Sequence, residues 1–370
     1  MSDPVYFGHT VPPFREVFSR ILRSGMQEMS VEQVVRAAEA LTATQRSAAA
    51  DWLGEAGMGA VLEGLDDARR GAVRERWTAG GGVTEEGFRR EYPAILNAVL
   101  GALPPEQVSR TLDRLTGEDL ASQSLFLGHE GRRALFGGMP PDRVRAVLER
   151  TEDWVFLATG KQAAEGIGGM TATLEKQERV GGKLQDQETI ELKLRTSPRG
   201  VYMRWIAGPF KGRELLYSEA HMGRSELRVR EGGLLGVIPV TIGVDSAIAR
   251  RGTNHSVLEV GPIELLHLIE RDYAKAAPRG HVERVNHGLV RLDGRDLFKT
   301  ESVLPRDASL GYYCQRMVHW MDYVRGVEVR AEIHGFDGKL QESYFYRGLD
   351  LEAPLTDRDF DPKNPGYKLK

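Results

Sequence analysis

The chain has 370 residues, 41% hydrophobic and 28% charged, the balance of a folded globular protein too long for one ordinary core. A net charge of −3 with no long basic run excludes nucleic acid as an expected partner, and the lone Cys314 excludes an intramolecular disulfide and a cysteine metal cluster. No apolar stretch is long enough to span a bilayer; the best, around Leu234 to Ile242, is broken by Pro239 and stopped at Gly243.

The first residues, MSDPVYFGHTVPPF, lack a basic segment followed by an apolar one, so no secretory signal is expected. On that reading the chain is cytoplasmic; a misassigned start codon would make it periplasmic.

Helical periodicity begins at Ser30, where Val31, Val34, Val35, Ala38 and Leu41 recur at spacings of three and four. Ser30 and Gln33 predict a capping box. Segments opening at Leu41, Leu65, Leu103 and Met139 look alike, each an apolar residue, cap or turn residues, then an amphipathic run. In the last two, Pro105 and Pro141 stand where a first-turn proline loses no hydrogen bond. The intervals between successive starts are unequal, which predicts loosely repeated short helices over residues 1–150, with Gly80, Gly81 and Gly82 dividing a first cluster from a second. An adaptor or packing domain for partner contacts is expected.

A second domain is expected over residues 151–370. A helix near Trp154 to Ala164 leads into it, and from Gly168 the period changes to two. Met170, Ala172 and Leu174 alternate with polar residues, as do Ile190, Leu192 and Leu194, then Val201, Met203 and Trp205, and finally Val327, Val329, Ala331 and Ile333. Such alternation belongs to antiparallel strands with one dry and one wet face. Gly181-Gly182, Ser197-Pro198-Arg199-Gly200 and Gly335 to Lys339 supply turns. One helix interrupts the sheet: Pro262 opens an apolar stripe of Ile263, Leu265, Leu266, Leu268 and Ile269 that runs to Ala276. The predicted order is helix, five or six strands, helix, about five strands. A curved sheet of that size with two helices has a concave face to fill, by the helices as a lid or by a ligand.

Several strings in this half resemble a bacterial family, domain of unknown function 1571. They are Glu175 to Leu184 (EKQERVGGKL), Leu194 to Trp205 (LRTSPRGVYMRW), Lys211 to Tyr217 (KGRELLY) and Asp359 to Tyr367 (DFDPKNPGY). The resemblance runs from about Trp154 to Lys370. It implies an architecture similar to periplasmic lipoprotein carriers and outer-membrane lipoprotein receptors, half-open β-barrels whose helices cap an apolar cavity. It implies no catalytic residue.

The fold class expected is therefore α+β in two domains, an all-helical N-terminal domain and an antiparallel half-open β-barrel with lid helices. Candidate ligand-binding residues are Ile190, Leu192, Leu194, Val201, Met203 and Trp205 on the sheet, Leu265, Leu266 and Ile269 on the lid helix, and Met317 in the aromatic and methionine cluster from Tyr312 to Met321. Arg204 and Arg213 are candidate polar rim residues, since a guanidinium binds oxygen acceptors well. Core packing and cross-strand ion pairs are the alternatives for these two sets. His319 has no second ligand at metal spacing, and no metal or cofactor is expected. The motifs G-x-S-x-G, H-E-x-x-H, C-x-x-C and the P-loop are absent from the sequence. The expected function is non-enzymatic: a half-barrel holding a lipid, acyl chain or lipoprotein, with a helical domain that contacts a protein partner. The alternative is a scaffold whose half-barrel is filled by its own side chains. An enzyme would require titratable groups converging in one pocket.

Overall fold

The computed structural model describes residues 4–233 and 238–370. Residues 234–237 of the apolar stretch noted above lie outside the described residues. Two compact units divide the chain, one of residues 1–163 with 323–326 and the other of residues 164–322 with 327–370.

The first unit opens with a two-stranded ribbon, β1 (Val5–Tyr6) and β2 (His9–Thr10), and continues as helices. These are α1 (Phe14–Glu28), α2 (Val31–Glu39), α3 (Ala43–Glu63), α4 (Asp67–Arg76), α5 (Glu85–Gly101), α6 (Pro105–Leu112), α7 (Gly117–Gly137), α8 (Pro141–Arg150) and α9 (Asp153–Gly166). The Ser30–Gln33 capping box forms at α2, and Pro105 and Pro141 occupy the first turns of α6 and α8.

A regularity hidden by the unequal intervals emerges here. Val31 and Pro105, Ala43 and Gly117, and Asp67 and Pro141 open equivalent helices, each pair 74 positions apart. The same offset superposes Glu32-Gln33-Val34 on Glu106-Gln107-Val108, Leu41-Thr42 on Leu115-Thr116, Leu53-Gly54 on Leu127-Gly128, and Glu75-Arg76 on Glu149-Arg150. The helical unit is an internal duplication, α1 to α4 followed by α5 to α8, and Gly80 to Gly82 lie in the link between the copies. Equivalent positions have equivalent geometry. Thr42 and Thr116 both build capping boxes. Gly54 (φ 63°, ψ −173°) and Gly128 (φ 61°, ψ −174°) both break their helix at its twelfth residue, in a backbone region open essentially to glycine alone. Arg69 donates to the Met29 carbonyl at 3.3 Å and Arg143 to the equivalent Leu103 carbonyl at 2.9 Å.

The copies meet reciprocally. Phe14 stacks on Phe126 at 4.2 Å, and its counterpart Phe88 stacks on Trp52, the counterpart of Phe126, at 4.6 Å. The Arg15 guanidinium lies over Trp52 and that of Arg89 over Phe126. Such exchange of equivalent contacts is the signature of a two-fold arrangement. The aromatic core is therefore shared by both copies, with Phe18, Phe88 and Tyr92 fully buried.

The second unit is one antiparallel sheet. Its strands are β3 (Gly169–Val180), β4 (Lys183–Leu184), β5 (Glu188–Arg195), β6 (Gly200–Ala207), β7 (Glu214–Ser218), β8 (Glu226–Arg230), β9 (Val240–Gly243), β10 (Glu283–Leu292), β11 (Arg295–Val303), β12 (Arg316–Asp322), β13 (Val327–His334) and β14 (Leu340–Asp350). They pair in the order β10-β11-β12-β13-β14-β3-β5-β6-β7-β8-β9, with β4 closing a hairpin on β3. The two ends, β10 and β9, do not pair, so the sheet is a half-open barrel. A four-residue helix, α10 (Glu219–Met222), follows β7, and α11 (Pro262–Ala276) is the lid helix.

The period-two register sets what each face carries. Met170, Leu174, Ile190, Leu192, Leu194, Val201, Met203 and Trp205 form the concave core with Val257 and Ile263 of the covering segment and lid. The outer face is not uniformly wet, as alternation alone predicts. Over β5 to β7 it is covered by the C-terminal tail: Tyr367 stacks on Tyr202 at 3.9 Å, and Phe360 and Leu369 are fully buried with Leu216. Lys193 to Asp359 (2.7 Å) and Arg195 to Asp357 (2.5 Å) clamp the tail down. The family-like string Asp359 to Tyr367 is this cover.

Candidate functional site

The concave face is not apolar along its whole length. Across β5, β3 and β14 the cross-strand rows read Ile190–Leu174–Tyr346, then Glu188–Lys176–Tyr344, and Glu178 stands opposite Glu342. The same dry register thus passes from aliphatic to charged within two rows. A cavity of about 610 Å3 opens over the charged end, within the usual size of ligand pockets. Its roof is α11 and the segment of residues 249–261 that precedes it.

The roof is pinned by buried carboxylates. Glu178 and Glu342 are 2% and 3% exposed, and like charges directly opposite each other are unfavourable unless compensated. Each is compensated. Glu178 accepts from the Asn254 backbone N–H (2.7 Å) and the Tyr344 hydroxyl (2.8 Å) and pairs with Lys176 (3.3 Å). Glu342 accepts from the Tyr313 hydroxyl at 2.6 Å and faces His255 Nε2 at 3.1 Å; the Tyr344 hydroxyl also reaches it at 3.2 Å. Burial works against charge on His255, but the bond to Glu342 wins, so its pKa is raised. Burial likewise opposes charge on Glu342, and its donors, His255 first, outweigh that and lower its pKa. Burial raises the pKa of Tyr313 and Tyr344, and the neighbouring carboxylates add to it, so both stay protonated donors at neutral pH.

Titratable groups therefore do converge in one pocket, the condition named above for an enzyme. The oxygens of Glu178 and Glu342 are largely occupied by one another's neighbours, and the network ties Asn254 and His255 of the roof to β3 and β14.

At the opposite wall Glu188, Trp205 and Arg213 are buried together. Trp205 Nε1 donates to Glu188 Oε2. The Arg213 guanidinium, 2% exposed, lies 5.1 Å over the Trp205 ring, donates through Nη2 to the Ile248 carbonyl (2.9 Å) and stands 3.6 Å from Glu231. Burial pulls its pKa down.

Of the residues expected from sequence, Met203, Trp205, Leu265 and Arg213 line the cavity. Ile190, Leu192, Leu194 and Val201 lie in the closed core at the aliphatic end, each at most 1% exposed. Leu266 is buried in the lid and does not line the cavity. Ile269 and Met317 border a separate space of about 40 Å3 beside Cys314. Arg204 is on the outer face, opposite in parity to Met203 and Trp205, where it pairs with Glu191. The cavity expected to be apolar is amphipathic. Of the residues missed from sequence, Lys176, Glu178, Glu188, Glu342 and Tyr344 had one signal, charged or hydroxyl side chains standing on the apolar parity of β3, β5 and β14; His255, in the covering segment, had none.

Protein of unknown function (DUF1571) is the family whose model matches residues 167–369. The chain belongs to this family. Comparison with curated proteins finds no match. Among solved structures, the lipoprotein LppX of Mycobacterium tuberculosis is similar at 14% identity and a TM-score of 0.35, over 57% of this chain and 100% of that one. A putative outer membrane lipoprotein-sorting protein domain from Vibrio parahaemolyticus is similar at 13% identity and a TM-score of 0.28, over 55% and 95%. MucB in the Pseudomonas aeruginosa MucA/MucB complex is similar at 14% identity and a TM-score of 0.30, over 56% and 60%. The matched family region begins at the end of α9 and takes in the whole half-barrel and its tail; the duplicated helical unit lies outside it. Among the described residues no helix is long and apolar enough to cross a membrane.

Proposed function

We propose that the half-barrel is a non-enzymatic binding module that holds a lipid, acyl chain or lipoprotein, and that the duplicated helical unit contacts a protein partner. One observation carries the first part: a cavity of about 610 Å3 remains between sheet and lid, where a self-filled scaffold would have packed side chains. Leu174, Met203, Leu215, Leu265 and Leu268 give it apolar walls for a chain, and the charged end supports a polar head.

Native mass spectrometry of the full chain after mild, detergent-free purification tests the binding reading. A co-purifying lipid or acylated peptide, lost in a Leu268→Trp variant that narrows the cavity, is the expected result. A clean ligand-free mass, together with no uptake of decanoyl lipids on titration, would return the half-barrel to the scaffold reading.

A further inference from the structure

The wall formed by Glu188, Trp205 and Arg213 is more selective than a lipid cavity requires. Glu188 is 3% exposed and lines the cavity, yet among the described residues only its Oε2 receives a hydrogen bond, from Trp205. A carboxylate carries about four lone-pair sites, so Oε1 is an acceptor without a donor. Arg213 is as deeply buried and its donors are also underused. Nη2 is engaged by Ile248, Nε has no hydrogen-bond partner, and Nη1 has none among the described residues. Arg213 Nε stands 3.6 Å from Glu231 Oε1, so the sites left for a ligand are Glu188 Oε1 and Arg213 Nη1; both residues line the same cavity beside the Trp205 ring.

The surrounding charge decides what satisfies them. An anionic head at Arg213 would meet Glu188 and Glu231, both of which already act on that guanidinium. A cationic head at Glu188 would meet Arg213 and, beyond Phe210, Arg251, which lies 5.7 Å from that ring. Neither ion gains without an adjacent like charge. A neutral group that donates and accepts at once satisfies both sides.

We propose that this end of the cavity binds the neutral, hydroxyl-bearing head of an amphiphile, donating to Glu188 Oε1 and accepting from Arg213 beside the Trp205 ring. The proposal rests on the reading of the cavity as an amphiphile site. The chain of such a ligand runs along Met203, Leu215 and Leu174 toward the lid. The head is a glycerol or sugar hydroxyl pair.

Calorimetric titration of ligand-free, full-length protein with three ten-carbon probes tests this: decanoyl glycerol, decanoate and decyltrimethylammonium. Decanoyl glycerol is expected to bind at least about tenfold more tightly than either ion, the value of one hydrogen bond to a charged group kept against one lost. Glu188→Gln is expected to narrow the gap to decanoate by removing the repulsion, and Arg213→Lys to weaken decanoyl glycerol. Equal binding of all three probes would overturn the head-group assignment and leave the cavity as a chain site. Preference for decanoate or for the ammonium would overturn it in favour of the ion. Failure of all three to bind would overturn this proposal together with the amphiphile reading beneath it. Because the comparison is made on the natural protein, a variant that does not fold leaves the test intact.

Discussion

Glu342→Gln is the perturbation that most directly examines how the roof is held. Glu342 is 3% exposed and joins three groups, Tyr313, Tyr344 and His255. The amide keeps the volume, removes the charge opposite His255 and cannot accept at its nitrogen. Removing one partner of a buried pair costs about 3 to 5 kcal/mol, and His255 is partly solvated, so about 3 kcal/mol is expected. For a unit of this size that is a fall in Tm of about 6 to 12 °C. The pH dependence has a definite sign. His255 is raised above its ordinary 6.5, so its contribution is complete below that value and is lost as pH rises through the raised pKa. Glu342 is lowered from 4.5, so its contribution is complete above that value and is lost as pH falls through the lowered pKa. The stability gap between natural protein and variant is therefore widest between about pH 4.5 and 6.5 and closes on both sides. Urea unfolding at pH 5.5 and pH 9, followed by the near-ultraviolet signal of the sheet unit, measures it. A gap below about 0.5 kcal/mol at pH 5.5, or one unchanged at pH 9, would refute the pinned-roof reasoning.

Other expectations are independent of the cavity. Gly54→Ala and Gly128→Ala each place a side chain in a glycine-only backbone region, so each should cost about 1 to 3 kcal/mol in thermal unfolding; because the sites are equivalent, the two costs should agree, and a large disparity would count against the duplication. Phe360→Ala removes the fully buried ring through which the tail packs on the sheet and should cost about 3 to 5 kcal/mol, with faster proteolysis of residues after Ala353; an unchanged unfolding midpoint would show the tail cover to be dispensable. The Cys314 thiol is 5% exposed and its pKa is pushed up to about 12, by burial first and then by Asp272 and Glu342, so a disulfide reagent at pH 8 should label it only after denaturant is added.

Much of the fold was legible in the residues. The capping box at Ser30, the first-turn prolines at 105 and 141, and the bounds of the lid helix at Pro262 and Ala276 follow from local chemistry that tertiary packing had no reason to override. Strand parity placed Met203 and Trp205 on the same face, and that face is the concave one. The same parity assigned Arg204 to the other side, although its charge suggested a rim.

The duplication was present in the letters, but comparing successive helix starts hides it, since the equivalent of each start lies one whole copy further on. The sequence by itself determined the helical character of residues 30–150, the lid helix and the two-sided nature of the strands, because these depend on neighbours within a few residues; the helix Phe14–Glu28, which has no side-chain cap at its start, was not legible that way. Only the tertiary structure decided which part of the dry face closes as core and which stays open. That outcome depends on the register that sets Glu178 opposite Glu342 and Lys176 opposite Glu188, and on a covering segment reaching them from 75 or more positions away. Charge on an apolar parity looks like a fault in a strand until its partners, distant in the chain, are brought beside it.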